Sequence, residues 1–237
     1  MNRFFIADDF ALAQSYTLPE NVFHHWTRVL RAKVGEQAIV FNGKGGEYFV
    51  ELSNIDKKSA QVNILDFYPK NRNLAVKVTL GQVMSKGDRM DYAIQKATEL
   101  GVHQIQLLTS ERCEMRLKYD RDQKKIEHWQ AVAIAACEQC GLNLVPEVLA
   151  PMSVQDWTRQ VQADLKLVLA LSDGKMQFAQ PLPQNIALLV GAEGGLSDAE
   201  ITDSVQQGFV KWTIGKRVLR TETAPVAALG VLNFLAE

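Results

Sequence analysis

This chain is poor in the features that mark the specialised protein classes. It has three cysteines, an odd number, which argues against a disulfide scaffold and for a reducing compartment. No apolar run approaches the roughly eighteen residues of a membrane span, and no signal peptide is evident; the expectation is a soluble, cytoplasmic protein with no membrane contact. Charge is nearly balanced, with 26 basic and 27 acidic residues and a net of −1. There is thus no overall basic field of the kind that marks a general nucleic-acid binder, although the sum hides any local basic face. Both common phosphate signatures are missing: no G-x-x-x-x-G-K-[ST] occurs, and no G-x-G-x-x-G follows a strand. The single C-x-x-C, Cys137 to Cys140, closes a helical pattern instead of opening one and has no second pair. Neither a redox motif nor a zinc site is expected from it. His24 and His25 also lack a ligand cluster, so no metal is expected.

What is present is an ordinary globular balance, 47% hydrophobic and 22% charged over 237 residues, enough for one large or two small domains. Residues 1–70 read as β-rich. Residues 38–41 and 47–52 are strand-like and flank Asn42-Gly43-Lys44-Gly45-Gly46, a strong turn signal; 60–67 alternates, and 20–30 reads as a short helix. Several short strands in this length suggest a small barrel. Pro69 to Asn73 is polar and carries a proline, which sets a domain boundary there, giving 1–72 and 73–237. From residue 74 onwards, strands (74–83, 104–109, 165–171) alternate with helices (88–100, 124–140, 153–161), the signature of a parallel α/β sheet. Ser153 and Asp156 resemble a capping pair.

The most informative stretch is 186–235. Residues 186–190 form a short apolar run typical of a strand buried on both faces. A glycine turn, Gly191-Ala192-Glu193-Gly194-Gly195, follows, and then a helix with Ser197 as N-cap and Glu200 completing a capping box. A second short strand, 209–214, leads into Gly215-Lys216-Arg217-Val218-Leu219-Arg220-Thr221-Glu222-Thr223. The last helix carries Pro225 in its first turn. Two strands thus end in two glycine-containing loops, each opening a helix, and ligands of open α/β sheets settle at such strand ends.

The words G-x-E-G-G-L-S and, about twenty residues on, I-G-x-R-V-L-R-T-E-T-A resemble the knotted SPOUT class of S-adenosylmethionine-dependent RNA methyltransferases. Within that class the chain is similar to the ribosomal RNA small subunit methyltransferase E family, which methylates uridine N3 in 16S rRNA. Lys86-Gly87-Asp88-Arg89-Met90, Gln95 to Val102, Ser110-Glu111-Arg112, Glu138-Gln139-Cys140-Gly141 and Val29-Leu30-Arg31 extend the likeness over essentially the whole chain. The resemblance implies a PUA-like RNA-binding barrel followed by a trefoil-knotted parallel-sheet domain, S-adenosylmethionine as cofactor, small-subunit rRNA as partner and a homodimer. It implies cofactor contacts at Leu171 and the loop after it, Gly191, Glu193, Gly194, Gly195, Ile214, Gly215, Val218, Leu219, Thr223 and Ala224. Near the chemistry it implies Arg220, a fixed guanidinium suited to an anionic uridine ring, and Glu222 or Glu193 as proton acceptor. Arg28, Arg31, Lys33, Arg112 and Arg116 are expected to face RNA. Two departures stand out: Ala192 replaces the family's proline, and Leu142 stands where an arginine is usual, which bears on substrate affinity. Two other readings stay open, a non-catalytic RNA-binding assembly factor and a SPOUT enzyme with another RNA target.

Overall fold

The computed structural model describes residues 1–115, 119–172 and 176–237, with side chains throughout except at 119–122. The chain divides into two compact units, Met1–Arg72 with Cys137–Val145, and Asn73–Ala136 with Pro146–Glu237. One division falls after Arg72, and nine residues from mid-chain belong to the first unit.

The first unit is built on a five-stranded sheet: β1 (Asn2–Phe5), β2 (Ser15–Thr17), β3 (Gln37–Phe41), β4 (Glu47–Ile55) and β5 (Ala60–Tyr68), in the order β1-β3-β4-β5-β2. β1 runs parallel to β3, and the other neighbours are antiparallel. Alternation decides its buried face, since Val50 and Leu52 of β4 and Val62 and Ile64 of β5 point inward together. Register shifts between Phe49 and Val50 and between Leu52 and Asn54 bend the β4–β5 pair. The expected helix over 20–30 is a single α-turn, α1 (Glu20–Phe23), that widens into a π-helix over His24–Val29. This geometry sends Trp26, fully excluded from solvent, and Thr27 inward. Arg31 follows in a left-handed conformation, φ 58°, which is uncommon for a residue with a side chain.

The second unit is a six-stranded, all-parallel sheet with strands β6 (Lys77–Val83), β7 (Gln104–Thr109), β8 (Glu147–Ser153), β9 (Leu165–Leu169), β10 (Asn185–Val190) and β11 (Val210–Trp212). Its order is β11-β9-β10-β6-β7-β8. β10 is buried from Ile186 to Val190 on both faces, as its unbroken apolar run demands. Helices α2 (Asp88–Glu99), α3 (Tyr119–Cys140), α4 (Val154–Gln160), α5 (Asp198–Gln206) and α6 (Thr223–Ala236) connect or follow the strands. Two helix starts form as their sequences require: Ser153 accepts from the Asp156 N–H, and Ser197 and Glu200 complete a reciprocal capping box. β8 carries Pro151 and lies at the sheet edge, where a missing N–H breaks no ladder. The order turns between β6 and β10: β7 and β8 extend one way, β9 and β11 the other. At such a reversal, loops from the carboxyl ends of strands diverge and leave a crevice.

Cys137 is fully buried in the apolar cluster with Phe41 and Leu142, and burial pushes its thiol up to about 12. It is therefore a packing residue, not a redox centre. Among the described residues, no group of His, Cys, Asp and Glu has the arrangement of a metal site, and no helix is long and apolar enough to cross a membrane.

Candidate active site

β9, β10 and β11 end side by side, and the loops that leave them enclose a cavity of about 540 Å³. Its walls are Leu169 at the end of β9 and Leu171 after it, Gly191 and Gly195 after β10, and Ile214, Val218 and Leu219 after β11, with Trp212 and Thr221 also in the lining. Hydrogen bonds fix each wall. Thr213 Oγ1 donates to Ala170 O at 2.8 Å and accepts from the Ser172 N–H at 2.8 Å, which ties the β11 loop to the β9 loop. The glycine loop folds back through Gly195 N–H to Ala192 O at 2.9 Å, with Gly195 at φ +68° where a side chain would be strained. Thr221 Oγ1 donates to Gly191 O at 2.7 Å and accepts from Gln82 Nε2 at 3.1 Å, so a buried amide on β6 braces the wall from behind.

Of the residues expected at a cofactor, Leu171, Gly191, Gly195, Ile214, Val218, Leu219 and Ala224 line this cavity. Glu193, Gly194, Gly215 and Thr223 do not. Residues 173–175 of the loop after Leu171 lie outside the described residues. Asp198, Thr202, Arg217 and Lys211 are lining residues that sequence reasoning missed. The first two occupy positions in the first turns of α5, so the capping box was their available signal. Lys211, on the short edge strand, carried none.

Arg220 is exposed and outside the lining; its carbonyl accepts the N–H groups of Thr223 and Ala224 and so starts α6. Glu222 is half-buried, and its Oε2 has no hydrogen-bond partner. Glu193 meets Arg89 Nη1 at 2.6 Å. Burial pushes the Glu193 carboxyl up, but its own backbone N–H, the Arg89 guanidinium and the Lys86 N–H more than offset this and hold it below the usual carboxylate range. Arg112 is exposed and also bound to the loop. It spans the glycine loop, donating from Nη1 to Gly194 O at 3.1 Å and Leu196 O at 3.3 Å. Arg116 lies outside the described residues. In the first unit, Arg28 donates to Lys57 O at 2.9 Å and stacks over Phe23, while Arg31 and Lys33 are exposed.

The family model for the RNA methyltransferase domain matches residues 72–233, and that for the RNA methyltransferase PUA domain matches residues 18–65. The chain is 32% identical to the ribosomal RNA small subunit methyltransferase E of Bacillus subtilis, covering all of this chain and 98% of that one. It is 35% identical to the enzyme of that name from Buchnera aphidicola of Schizaphis graminum, over 98% of this chain and 95% of that one. Among solved structures, the ribosomal RNA small subunit methyltransferase E of Neisseria gonorrhoeae, bound to S-adenosyl methionine, superposes with a TM-score of 0.93 at 35% identity and covers 99% and 98% of the two chains. A Legionella pneumophila protein in complex with bound S-adenosylmethionine gives 0.91 at 36% identity over 97% and 96%. Full-length likeness at this level, together with an N-terminal PUA-like unit and a C-terminal parallel sheet, identifies the chain as a member of the ribosomal RNA small subunit methyltransferase E family.

Proposed function

We propose that this protein methylates N3 of a uridine in 16S rRNA, using S-adenosylmethionine held in the cavity at the ends of β9, β10 and β11. The observation that carries this reading is the cavity itself. Its volume of about 540 Å³ lies within the roughly 300–1,000 Å³ usual for small-molecule pockets. Aliphatic side chains suit the faces of an adenine, and the backbone of the glycine loop suits its edge. Asp198 in the lining supplies a carboxylate to offset a cationic sulfonium. The bound cofactor supplies an electrophilic methyl group with a good leaving group. The chain's own residues supply orientation and charge: Gly191 and Gly195 admit the ligand, and Arg220 stabilises negative charge on the uridine carbonyl oxygens. Residues 1–72 serve as the RNA-binding domain and 73–237 as the catalytic domain, with the last segment threaded as a trefoil knot. Arg28, Arg31 and Lys33 contact phosphates, which set position and affinity more than sequence choice. The cytoplasm is where such a substrate resides.

The experiment is methyl transfer from labelled S-adenosylmethionine to small ribosomal subunits lacking uridine methylation, with nucleosides then identified by mass. Label recovered as 3-methyluridine at one position is the expected result. Label in another nucleoside, or none with cofactor binding intact, would refute the assigned target.

The working form is a homodimer. Phe234 on α6 is 81% exposed and Val231 lies one turn before it, also exposed, an apolar patch on a helix whose other apolar residues are buried or half-buried. Phe234→Asp is expected to convert the dimer to a monomer in sedimentation velocity at micromolar concentration, with the circular dichroism spectrum unchanged. A dimer of undiminished stability would place the interface elsewhere.

A further inference from the structure

Residues 215–220 carry the chain from β11 toward α6 along the cavity, whose lining takes in Arg217, Val218 and Leu219. Both ends of the segment are pinned. Thr213 is tied to Ala170 and Ser172, and Thr221 is held between Gln82 and Gly191. Between the pins Lys216, Arg217, Val218 and Arg220 are exposed, and no acidic residue interrupts the run. Among the described residues, none of these three cations has a side-chain hydrogen bond or an ion pair. The cations around the glycine loop are already committed: Arg112 to Gly194 O and Leu196 O, Arg89 to Glu193, and Lys86 to Glu114. Three uncommitted cations in one short segment make a local basic patch that the net charge of −1 conceals. Among them Val218 is 83% exposed although it lines the cavity, and so is Leu171 at 63%. The cavity therefore opens to solvent past apolar side chains, with free cations beside one of them.

We propose that residues 216–218 are the RNA grip of the catalytic unit: Lys216 and Arg217 hold phosphates flanking the target nucleotide, and Val218 packs against the base or ribose uncovered when that nucleotide leaves its stack. The inference rests on the reading of this protein as an rRNA uridine-N3 methyltransferase, and it names the residues by which that cavity takes its substrate. A uridine in a folded RNA stacks on its neighbours, and a methyl donor held among strand-end loops reaches N3 only after the base swings out. The swing leaves two needs. The strand must be held still, which cations do through phosphates whatever the sequence. The uncovered apolar face must also be shielded, which an aliphatic side chain does. A segment pinned at both ends suits this work, because it has little freedom left to lose on binding. Arg220 follows in the same segment, so grip and ring stabilisation come from one loop.

The test uses the whole protein with Lys216→Gln, Arg217→Gln, the two together, and Val218→Ser. Filter binding of unmethylated small subunits is followed against salt concentration, alongside calorimetric affinity for S-adenosylmethionine, kcat/KM for subunits and sedimentation velocity. The double variant should bind subunits about 25- to 60-fold more weakly at about 0.1 M salt, the counterion-release contribution of two phosphates. Its slope of log affinity against log salt should be shallower by about 1.4 to 1.8, and each single variant should show about half that change. Val218→Ser should leave the slope unaltered and lower kcat/KM for subunits about three- to tenfold. Affinity for S-adenosylmethionine should persist throughout. A salt slope unchanged in the double variant would overturn the proposal. So would an Arg217→Gln protein that loses S-adenosylmethionine and keeps subunit binding, since Arg217 would then be a cofactor contact. Dissociation of the dimer by these changes would also overturn it, by making the loop a subunit interface. Binding is read without turnover, so a parent that binds subunits yet forms no 3-methyluridine removes the uridine-N3 reading while the slopes still decide the grip.

Discussion

Glu47→Ala is expected to cost about 3–5 kcal/mol, the range for breaking a buried ion pair by removing one partner, and more than any other single charge deletion in the N-terminal unit. Glu47 is 5% exposed in its side chain and accepts from Arg3 Nη1 at 2.7 Å and from Arg72 Nη1 at 3.0 Å. Asn143 Nδ2 reaches the same carboxylate, and Asn143 Oδ1 accepts from Arg3 Nη2 at 2.6 Å. Deleting the carboxylate leaves the Arg3 guanidinium buried with its principal counter-charge gone. The same group makes stability depend on pH. Burial alone would raise its pKa, but the hydrogen bonds and charges of Arg72 and Arg3 hold the carboxyl down at about 2, against 4.5 when free. The folded-state pKa is depressed, so the stabilisation is complete above about pH 4.5 and is lost as pH falls from there toward 2. Hydrogen exchange of β3 and β4 should quicken over that window, and in Glu47→Gln the dependence should flatten. Acid lability identical in the variant and the parent would show that other groups govern it.

Gly191→Ala is the change expected to damage the cavity most. A Cβ there would lie 3.0 Å from Gly195 C and Leu196 N and 3.2 Å from Gly195 Cα. All three are backbone atoms in a loop held by Arg112, Thr221 and the capping box, so relief requires the whole turn to move. Overpacking of this kind costs about 1–3 kcal/mol, which, taken from ligand binding, is about a five- to a hundred-and-fifty-fold loss of S-adenosylmethionine affinity. Calorimetry on the variant checks this. Because the strain sits in a loop beyond β10, thermal stability should fall by only a few degrees. Undiminished affinity would mean that the glycine loop does not form the ligand's wall.

Much of the catalytic unit was legible in its sequence because local rules and tertiary packing agree there. The bounds of β7 were read without error, β10 to within one residue, and the capping serines of α4 and α5 hold the expected hydrogen bonds. Misreadings occur where the environment overrides pattern. β2 is three residues on a sheet edge, too short to show a period, and β8 contains a proline that argues against a strand unless the edge position is known. The helix over 20–30 has an apolar pattern that fits an α-helix, yet burial of Trp26 and Thr27 together goes with a π-helical turn. At the site, glycines and aliphatics of the two loops could be named in advance, but not which of them face inward. Glycine 191 lines the cavity and glycine 194 does not, a difference set by turn geometry that spacing does not encode. Arg112 is expected from sequence to face RNA, and Arg89 enters only within a family word; each is bound to the glycine loop, across separations of 82 and 104 residues that no local window spans.

The nine residues Cys137–Val145 that complete the first unit bear on how this protein can be divided or recombined. They bring Asn143 to the Arg3–Glu47 pair, Leu142 over Phe41, and the Gly141 carbonyl to Arg72 at 2.6 Å. A fragment ending at residue 72 would therefore carry Phe41 uncovered and a charge network short of its neutral partner, whatever its strands can do alone. Modularity here is physical but not linear. Exchanging the N-terminal unit with that of a relative means transplanting two separate segments, and a chimera joined at the single linker would pair one parent's arginines with the other's loop. The departure at Leu142 belongs to that loop, so its sequence is answerable to the packing of the first unit as well as to any substrate.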